Sequence, residues 1–203
     1  MESVKTITVG NFTGRIFNDE TPESPRQWDN LGTMICRHKR YDLGDANDLD
    51  FSNCSSWADD EKVIKSKFGS DAIMLPLYMY DHSGITMSTT PFSCSWDSGR
   101  VGTIVVSREE IRKEWNIKRI TAKRQAQMEE ILKGEVKTYD QYLTGDVYGY
   151  EIVENMVADD GEEYEEHRDS SWGHYGLDGL DREVGKMLIG YHKEQELVMD
   201  ETK

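Results

Sequence analysis

Three adjacent residues, Asp81, His82 and Ser83, have the side-chain types of a hydrolase triad. A triad is assembled from residues that meet in space, whereas neighbours on an extended chain point in different directions. The triplet therefore favours a turn before Gly84, with His82 as a hydrogen-bonded surface group. The chain also lacks the Gly-x-Ser-x-Gly, Walker, GxGxxG and HExxH motifs of common hydrolases, nucleotide-binding proteins and metalloproteases. We expect no catalytic residues and no enzymatic activity.

Metal binding is the next chemistry that the residue types could support. Cys36 and His38 lie two residues apart, and the residues that could join them around a metal ion are His82, Cys94, His167 and His174. This spacing is not diagnostic, and a free cysteine is more often a small buried residue. The run 42–50 departs from the EF-hand register, because its glycine and closing glutamate are misplaced. We expect neither a metal nor a cofactor.

The charge of the chain says more about its partners. The 203 residues include 39 Asp and Glu against 24 Lys and Arg, a formal net charge of −15. A field of this sign repels nucleic acid, nucleotides and anionic membranes and attracts basic surfaces. Two acidic runs are predicted to bind a partner, and their carboxylates are Asp159, Asp160, Glu162, Glu163, Glu165 and Glu166 in one and Asp42, Asp45, Asp48 and Asp50 in the other.

One segment departs from this acidic character. Residues 108–137 carry nine Lys and Arg against six Glu. The sequence leaves open whether this basic helical face is a second interface.

Aromatic residues mark two short stretches, WDSG at 96–99 and SWGHYG at 171–176. Both are predicted to be turns in which a tryptophan packs against closely approaching backbone. The alternative is a pocket that binds or hydrolyses a small nucleotide-like signal molecule. Its candidate lining is His82, Cys94, Trp96, Asp97 and Trp172, and the cations available for an anionic ligand are Arg37, Lys39, Arg40 and Arg100.

The elements that must position these residues form one domain over 1–203, because the length and a hydrophobic fraction of 36% suffice for a core. Strands, then helices, then strands and a helix indicate an α+β fold. We expect a mainly antiparallel sheet with hairpins packed against two or three helices.

Apolar runs predict two central strands, 72–80 and 101–106, that pair as a hairpin, with Pro76 indicating an edge position or a bulge. The 3/4 spacing of apolar residues predicts that the longest helix covers 121–143. Other helices are predicted from an N-cap at Ser56 to Phe68 and from a capping box of Ser107 and Glu110. The remaining predicted elements are strands over 6–9, 13–17, 32–38, 147–153 and 164–167 and a helix over 180–196.

The chain does not begin with a basic segment followed by an apolar one, and it has no apolar run long enough to span a bilayer. Its three cysteines, an odd number without a CxxC pair, are typical of reduced thiols. We therefore expect a soluble intracellular protein.

Four long segments are distinctive: SPRQWDNLGTMICRHKRYDLGD (24–45), LPLYMYDHSGITMSTTPFSCSWDSGRVG (75–102), YDQYLTGDVYGY (139–150) and DSSWGHYG (169–176). They are distributed over residues 24–176, which is most of the chain, and they resemble blocks of a family of small acidic proteins encoded by bacteriophages and prophages. The resemblance implies a viral gene product in the host bacterial cytoplasm, and it implies no catalytic residues.

By analogy, small acidic phage proteins are often inhibitors of host defence, such as anti-CRISPR or anti-restriction proteins. The expected partner is a basic, nucleic-acid-binding host protein, for example a CRISPR effector or a restriction enzyme. Carboxylates would then occupy its groove in place of phosphates, as in a DNA mimic, without direct contact to nucleic acid or membrane. The oligomeric state is left open.

Overall fold

The computed structural model describes the backbone of residues 2–201 and the side chains of residues 2–197. Within this range the chain forms eight strands, all paired antiparallel, and four α-helices, which confirms the α+β class. The strands are β1 (Lys5–Val9), β2 (Phe12–Asn18), β3 (Thr33–Cys36), β4 (Ile73–Asp81), β5 (Ile85–Ser88), β6 (Ser98–Val106), β7 (Val147–Val157) and β8 (Glu163–Tyr175). The helices are α1 (Trp57–Phe68), α2 (Arg108–Glu114), α3 (Ala122–Thr144) and α4 (Leu177–Glu201).

The chain divides into two compact units, each with a four-stranded sheet. The terminal unit consists of Met1–Glu23 and Gly145–Lys203, and the inserted unit is Ser24–Thr144. Each hydrophobic core cluster lies wholly within one unit. The expectation of a single domain over 1–203 stays a prediction. It can be tested by asking whether one of the two units folds without the other.

The terminal unit has strand order β1-β2-β7-β8, and α4 packs on one face of that sheet. Ile16 and Ile152 on the sheet meet Val184 and Leu188 of α4, and all four are fully buried. Gly14 allows this close packing, because a Cβ there would lie 2.5 Å from the Val184 side chain. Among the described residues, α4 is the one helix of this unit, so no helix of the unit covers the opposite face of the sheet.

The inserted unit has strand order β3-β6-β4-β5 and helices on both faces. Neighbouring residues of β6 show this, because Ile104 packs in the cluster with α3 while Val105 packs in the cluster with Ile64 of α1. Both residues are fully buried. A strand covered on both faces has a continuous apolar run, which explains why the sequence of β4 and β6 does not alternate.

Arg26 links the irregular segments of the inserted unit. Its guanidinium donates two hydrogen bonds to Asp45, at 2.8 and 2.6 Å, and one to Glu135 of α3, at 3.1 Å. Asp45 also accepts the backbone N–H of Met34, and Glu135 accepts that of Gly32. Burial disfavours the charge of Arg26, but the hydrogen bonds to its two carboxylates outweigh this effect and raise its pKa.

Local signals at the helix ends are confirmed. Ser56 caps α1 by accepting the backbone N–H of Asp59, and Gly69 ends the helix with a φ of +100°. Ser107 and Glu110 form the predicted capping box of α2.

The pairing of β4 with β6 is also confirmed, and Pro76 accounts for the local irregularity. β4 lies between β6 and β5, but β5 pairs only from Tyr78 onwards. At Pro76 the side of β4 that faces β5 is therefore open, and a bulge follows between Leu77 and Tyr78. Both predicted consequences of this proline, a local edge and a bulge, occur together.

Other expectations about the elements are wrong. The longest of the four helices within residues 2–201 is α4, with 25 residues against 23 for α3, which was expected to be the longest. α4 contains three glycines, which disfavour helix, but packing of its apolar side on the sheet outweighs that propensity. Residues 171–175, predicted as a turn, belong to β8, and β5 is too short for its pattern to be recognised.

We expect Arg26→Met to destabilise the inserted unit by about 2–4 kcal/mol, because Asp45 and Glu135 would be left as partly buried, uncompensated charges. A matched control is Lys133→Met, which removes the exposed ion pair with Glu130 and should change stability by less than about 1 kcal/mol. Urea unfolding of both variants measures the difference. Equal effects would contradict the role assigned to Arg26.

We also expect residues 24–144 to fold without the rest of the chain, because their sheet and cores are complete. Dispersed amide resonances and a cooperative thermal transition of this fragment would establish two domains in place of one. A fragment that remains unfolded would support the single domain.

Candidate functional site

The predicted acidic turn is the tip of the hairpin formed by β7 and β8. Ala158 donates a backbone hydrogen bond to Glu162, and Gly161 donates one to Ala158, both at 2.9 Å. Gly161 has a φ of +87°, a conformation that favours glycine, and the Asp160 side chain accepts the N–H of Glu162 at 3.1 Å. The turn is therefore fixed by its own backbone.

All six predicted carboxylates of this hairpin are exposed. Glu165 pairs with Arg15 on β2, and this hydrogen bond lowers the pKa of Glu165. Glu166 lies 3.2 Å from Arg168. Among the described residues, no cation pairs with the other four, which are Asp159, Asp160, Glu162 and Glu163.

Glu154, in the same acidic stretch of sequence, has a different role. It is 4% exposed on the α4 side of the sheet, and its carboxylate is bound by Arg168, by Asn11 at 2.8 Å and by Gln195 at 2.7 Å. A buried carboxylate with three partners is part of the fold. It contributes nothing to the charge of the surface.

The second predicted run, 42–50, lies in the inserted unit and is largely used by the fold. Asp45 belongs to the Arg26 network, Asp48 pairs with Lys67, and Asp50 caps a turn by accepting the N–H of Ser52 at 2.9 Å. Asp42 is exposed. This run therefore presents fewer free carboxylates than the hairpin.

The two units differ sharply in charge. The terminal unit has 21 Asp and Glu against seven Lys and Arg, a formal charge of −14, whereas the inserted unit has 18 against 17, a charge of −1. Almost the whole net charge of −15 therefore belongs to the unit that carries the hairpin.

Exposed apolar side chains accompany the acids of the hairpin. Val157 is 67% exposed, Tyr164 47% and Trp172 48%. The Trp172 ring stacks on Phe17 at 6.2 Å and covers Gly149, where a Cβ would lie 2.1 Å from the ring. Sequence reasoning missed Val157 and Tyr164, although the aromatic residue between acidic ones was a visible signal for an interface.

The alternative pocket residues are only partly brought together. Asp97 is 3.5 Å from His82 Nδ1 and 3.9 Å from Cys94 Sγ, so these three form a cluster. Trp96 is 94% exposed, and Trp172 lies in the other unit. Trp96 therefore does not form an aromatic wall for this cluster within the inserted unit.

The turn interpretation of the Asp81, His82, Ser83 triplet agrees with the backbone. Ser83 has a φ of +59°, and His82 donates its N–H to the carbonyl of Gly84 at 3.1 Å. Asp81 instead accepts hydrogen bonds from Arg40 and, at 3.1 Å, from the Tyr41 hydroxyl. The side chains of Asp81 and His82 therefore have different partners, since His82 faces Asp97.

A cavity of about 560 Å³ in the inserted unit is lined by Arg37, His38, Lys39, Cys54, Ser55, Ser56, Trp57 and Asp60. Arg37 donates to the buried Asp60 at 2.5 Å and lies over the Phe51 ring. Arg100 in turn pairs with Glu61 and lies over Trp57. The arginines that could serve an anionic ligand are thus already paired with carboxylates.

The basic segment 108–137 covers α2 and most of α3. Its lysines are exposed, and a cavity of about 630 Å³ beside α3 is lined by Trp115, Lys123, Arg124, Met128 and Ile131, among others. Ile131 is 38% exposed.

Within residues 2–197, whose side chains the structure describes, no three His, Cys, Asp or Glu side chains are grouped so that they could hold a metal ion. Cys36 packs against the core, and burial raises the pKa of its thiol to about 12. None of the helices in the described range has the length and apolarity needed to cross a membrane.

We expect the β7–β8 hairpin to lose stability between pH 10 and 12. Burial, and then the hydrogen bond from its hydroxyl to Asp169 at 3.1 Å, raises the pKa of Tyr150 to about 12, against an ordinary value of about 10. In this window the unfolded chain has lost the proton that the folded protein still binds, so stability falls as pH rises.

Comparison with Tyr150→Phe isolates this effect, since the other groups with raised pKa remain. The stability advantage of the natural protein over the variant should be full below pH 10 and should shrink up to pH 12, as measured by urea unfolding at each pH. Parallel curves for the two proteins would rule out this linkage.

A scan against protein-family models, a search of curated proteins and a search of solved structures each found no match to this chain.

Proposed function

We propose that the protein is a non-enzymatic inhibitor that binds a basic, nucleic-acid-binding host protein through the acidic β7–β8 hairpin. The carboxylates of the hairpin occupy the basic surface that nucleic acid would otherwise contact. The observation that carries this proposal is the concentration of charge, −14 in the terminal unit against −1 in the inserted unit.

The free carboxylates at the tip support a surface that attracts cations. Asp159, Asp160, Glu162 and Glu163 are exposed and have no ion-pair partner among the described residues. Charges of this kind act over a Debye length of about 8 Å at physiological ionic strength and mainly increase the association rate.

The exposed apolar side chains support a protein as the partner. Tyr and Trp are enriched among the residues that carry most of the binding energy in protein interfaces. Tyr164 and Trp172 stand on the same strand as the acids, so the hairpin combines electrostatic attraction with apolar contact area. A hairpin tip that served only to remain solvated would need no such anchors.

The resemblance of four sequence blocks to phage proteins implies a phage origin, and a bacterial defence protein as target rests on analogy with other small acidic phage proteins. The chemistry of the surface adds the sign of the partner's charge. The nucleotide-pocket alternative has less support, because Trp96 is 94% exposed and Arg37, Arg40 and Arg100 are each paired with a carboxylate.

The test compares two variants with the same net charge. The hairpin variant carries Asp159→Asn, Asp160→Asn, Glu162→Gln, Glu163→Gln, Glu165→Gln and Glu166→Gln. The control variant neutralises six exposed acids of the inserted unit, with Asp42→Asn, Asp48→Asn, Asp50→Asn, Glu109→Gln, Glu114→Gln and Glu130→Gln.

The natural protein, immobilised, first captures its partner from a bacterial lysate, and DNA binding by that purified partner is then measured with each variant across a salt series. We expect inhibition by the natural protein to weaken with salt, the hairpin variant to inhibit at least about tenfold less, and the control variant to inhibit nearly normally. Circular dichroism should show both variants folded.

Equal inhibition by the hairpin variant and the natural protein, without a salt dependence, would exclude phosphate mimicry by this hairpin. A captured partner that does not bind nucleic acid would exclude competition with nucleic acid.

A further inference from the structure

The strand that carries the acids is also a free sheet edge. β8 has 13 residues and is the last strand in the order β1-β2-β7-β8, whereas the strand at the other edge, β1, has five. Edge strands in proteins are usually short, covered or bulged, because their unpaired backbone groups attract other strands. Residues 163–168 are all exposed, so this part of the edge is accessible on both faces.

The hydrogen bonds of β7 determine which backbone groups of β8 face the free edge. Asp19 donates to the carbonyl of Val147, and the N–H of Asn155 bonds to Asn11, so the odd-numbered residues of β7 direct their backbone groups toward β2. The even-numbered ones, such as Glu154, face β8, because the two directions alternate along a strand.

The register then assigns the residues of β8. Tyr164 and Glu166 are opposite even-numbered residues of β7 and bond inward. Glu163, Glu165 and His167 are opposite odd-numbered ones, so their N–H and C=O groups point away from the sheet.

A bulge limits the length of the accessible edge. The register shifts between Ile152, which pairs with Asp169, and Val153, which pairs with His167. Arg168 is therefore an extra residue in β8 at this point. A bulge increases the local twist and interrupts pairing. The regular open segment is therefore Glu163–His167.

The charges on this segment determine the kind of strand that could be added. Glu163 and Glu165 lie on one face and Glu166 on the other, so carboxylates flank the edge on both sides. A second copy of β8 would place acids opposite acids, which is unfavourable, whereas Lys or Arg opposite Glu is favourable.

We infer that an extended, Lys/Arg-rich segment of the partner protein adds to β8 along Glu163–His167 as a fifth strand of this sheet. The inference rests on the proposed function for the sign of the partner's charge, and it adds backbone pairing as the mode of recognition. Backbone hydrogen bonds supply affinity in this mode, and alternating side chains supply selectivity.

The first test uses a synthetic eight-residue peptide of alternating Lys and Val. A second peptide has the same sequence with every backbone nitrogen methylated, so it keeps its charges and donates no backbone hydrogen bond from either edge. The unmethylated peptide should slow hydrogen exchange at the amides of Glu163, Glu165 and His167, and the methylated peptide should bind at least about tenfold more weakly.

The second test changes the protein. His167→Pro removes one outward N–H without changing the formal charge, and proline is tolerated where an edge strand faces solvent. We expect this variant to bind the unmethylated peptide about tenfold more weakly than His167→Val, which keeps the N–H. Circular dichroism checks the fold, and the methylated peptide gives an answer that does not depend on the variant.

Equal binding of the two peptides to the natural protein would overturn strand addition, as would failure of the unmethylated peptide to bind. If both peptides bind equally and the six-fold hairpin variant binds neither, the charged surface of the proposed function remains while strand addition is excluded. If the six-fold variant binds the unmethylated peptide as well as the natural protein does, the proposed function fails instead.

Discussion

The inserted unit depends on one buried cation, Arg26, whose side chain is 6% exposed. Its bidentate bond to Asp45 and its bond to Glu135 join a loop to α3, and the same carboxylates hold the backbone at Gly32 and Met34. Loss of one partner of a buried ion pair is strongly destabilising, so these contacts hold the irregular segments to α3 and to the sheet at a high cost of breaking them. The unit can therefore carry long irregular stretches and remain compact.

The terminal unit uses the same arrangement once, with Arg168 and Glu154. Among its described residues, the four acids at the hairpin tip, Asp159, Asp160, Glu162 and Glu163, have no cation partner. Glu154 is enclosed by Asn11, Arg168 and Gln195, whereas the acids of the hairpin tip extend into solvent. Self-repulsion among unpaired acids lowers the stability of a compact state. The functional surface is thus distinguished by carboxylates that the fold does not need, which is a stronger criterion than the number of acids in a stretch of sequence.

Sequence reasoning succeeded where the signal is local and failed where it depends on distant partners. Caps at Ser56 and Ser107, the apolar runs of β4 and β6 and the position of the acidic turn need only neighbouring residues. Glu154 and Glu166 both lie in the acidic stretch, but contacts with residues distant in sequence distinguish the buried one from the exposed one. Asn11 and Gln195, which bind Glu154, are 143 and 41 residues away from it. The prediction of a turn at 171–175 failed for the same reason. Ser and Gly locally favour a turn, but pairing with β7 places these residues in a strand.

The carboxylates on the edge of β8 both protect that edge from unwanted strand pairing and determine which strand can pair with it. A long exposed edge would normally pair with any extended chain, and charged side chains are one way in which proteins prevent this. Carboxylates on both faces exclude neutral and acidic strands, including the same strand of another copy, by like-charge repulsion and by the cost of removing the acids from water. A basic strand meets the smallest penalty, since its cations would compensate the carboxylates that its addition removes from water. The feature that protects the edge from aggregation therefore also selects a basic partner.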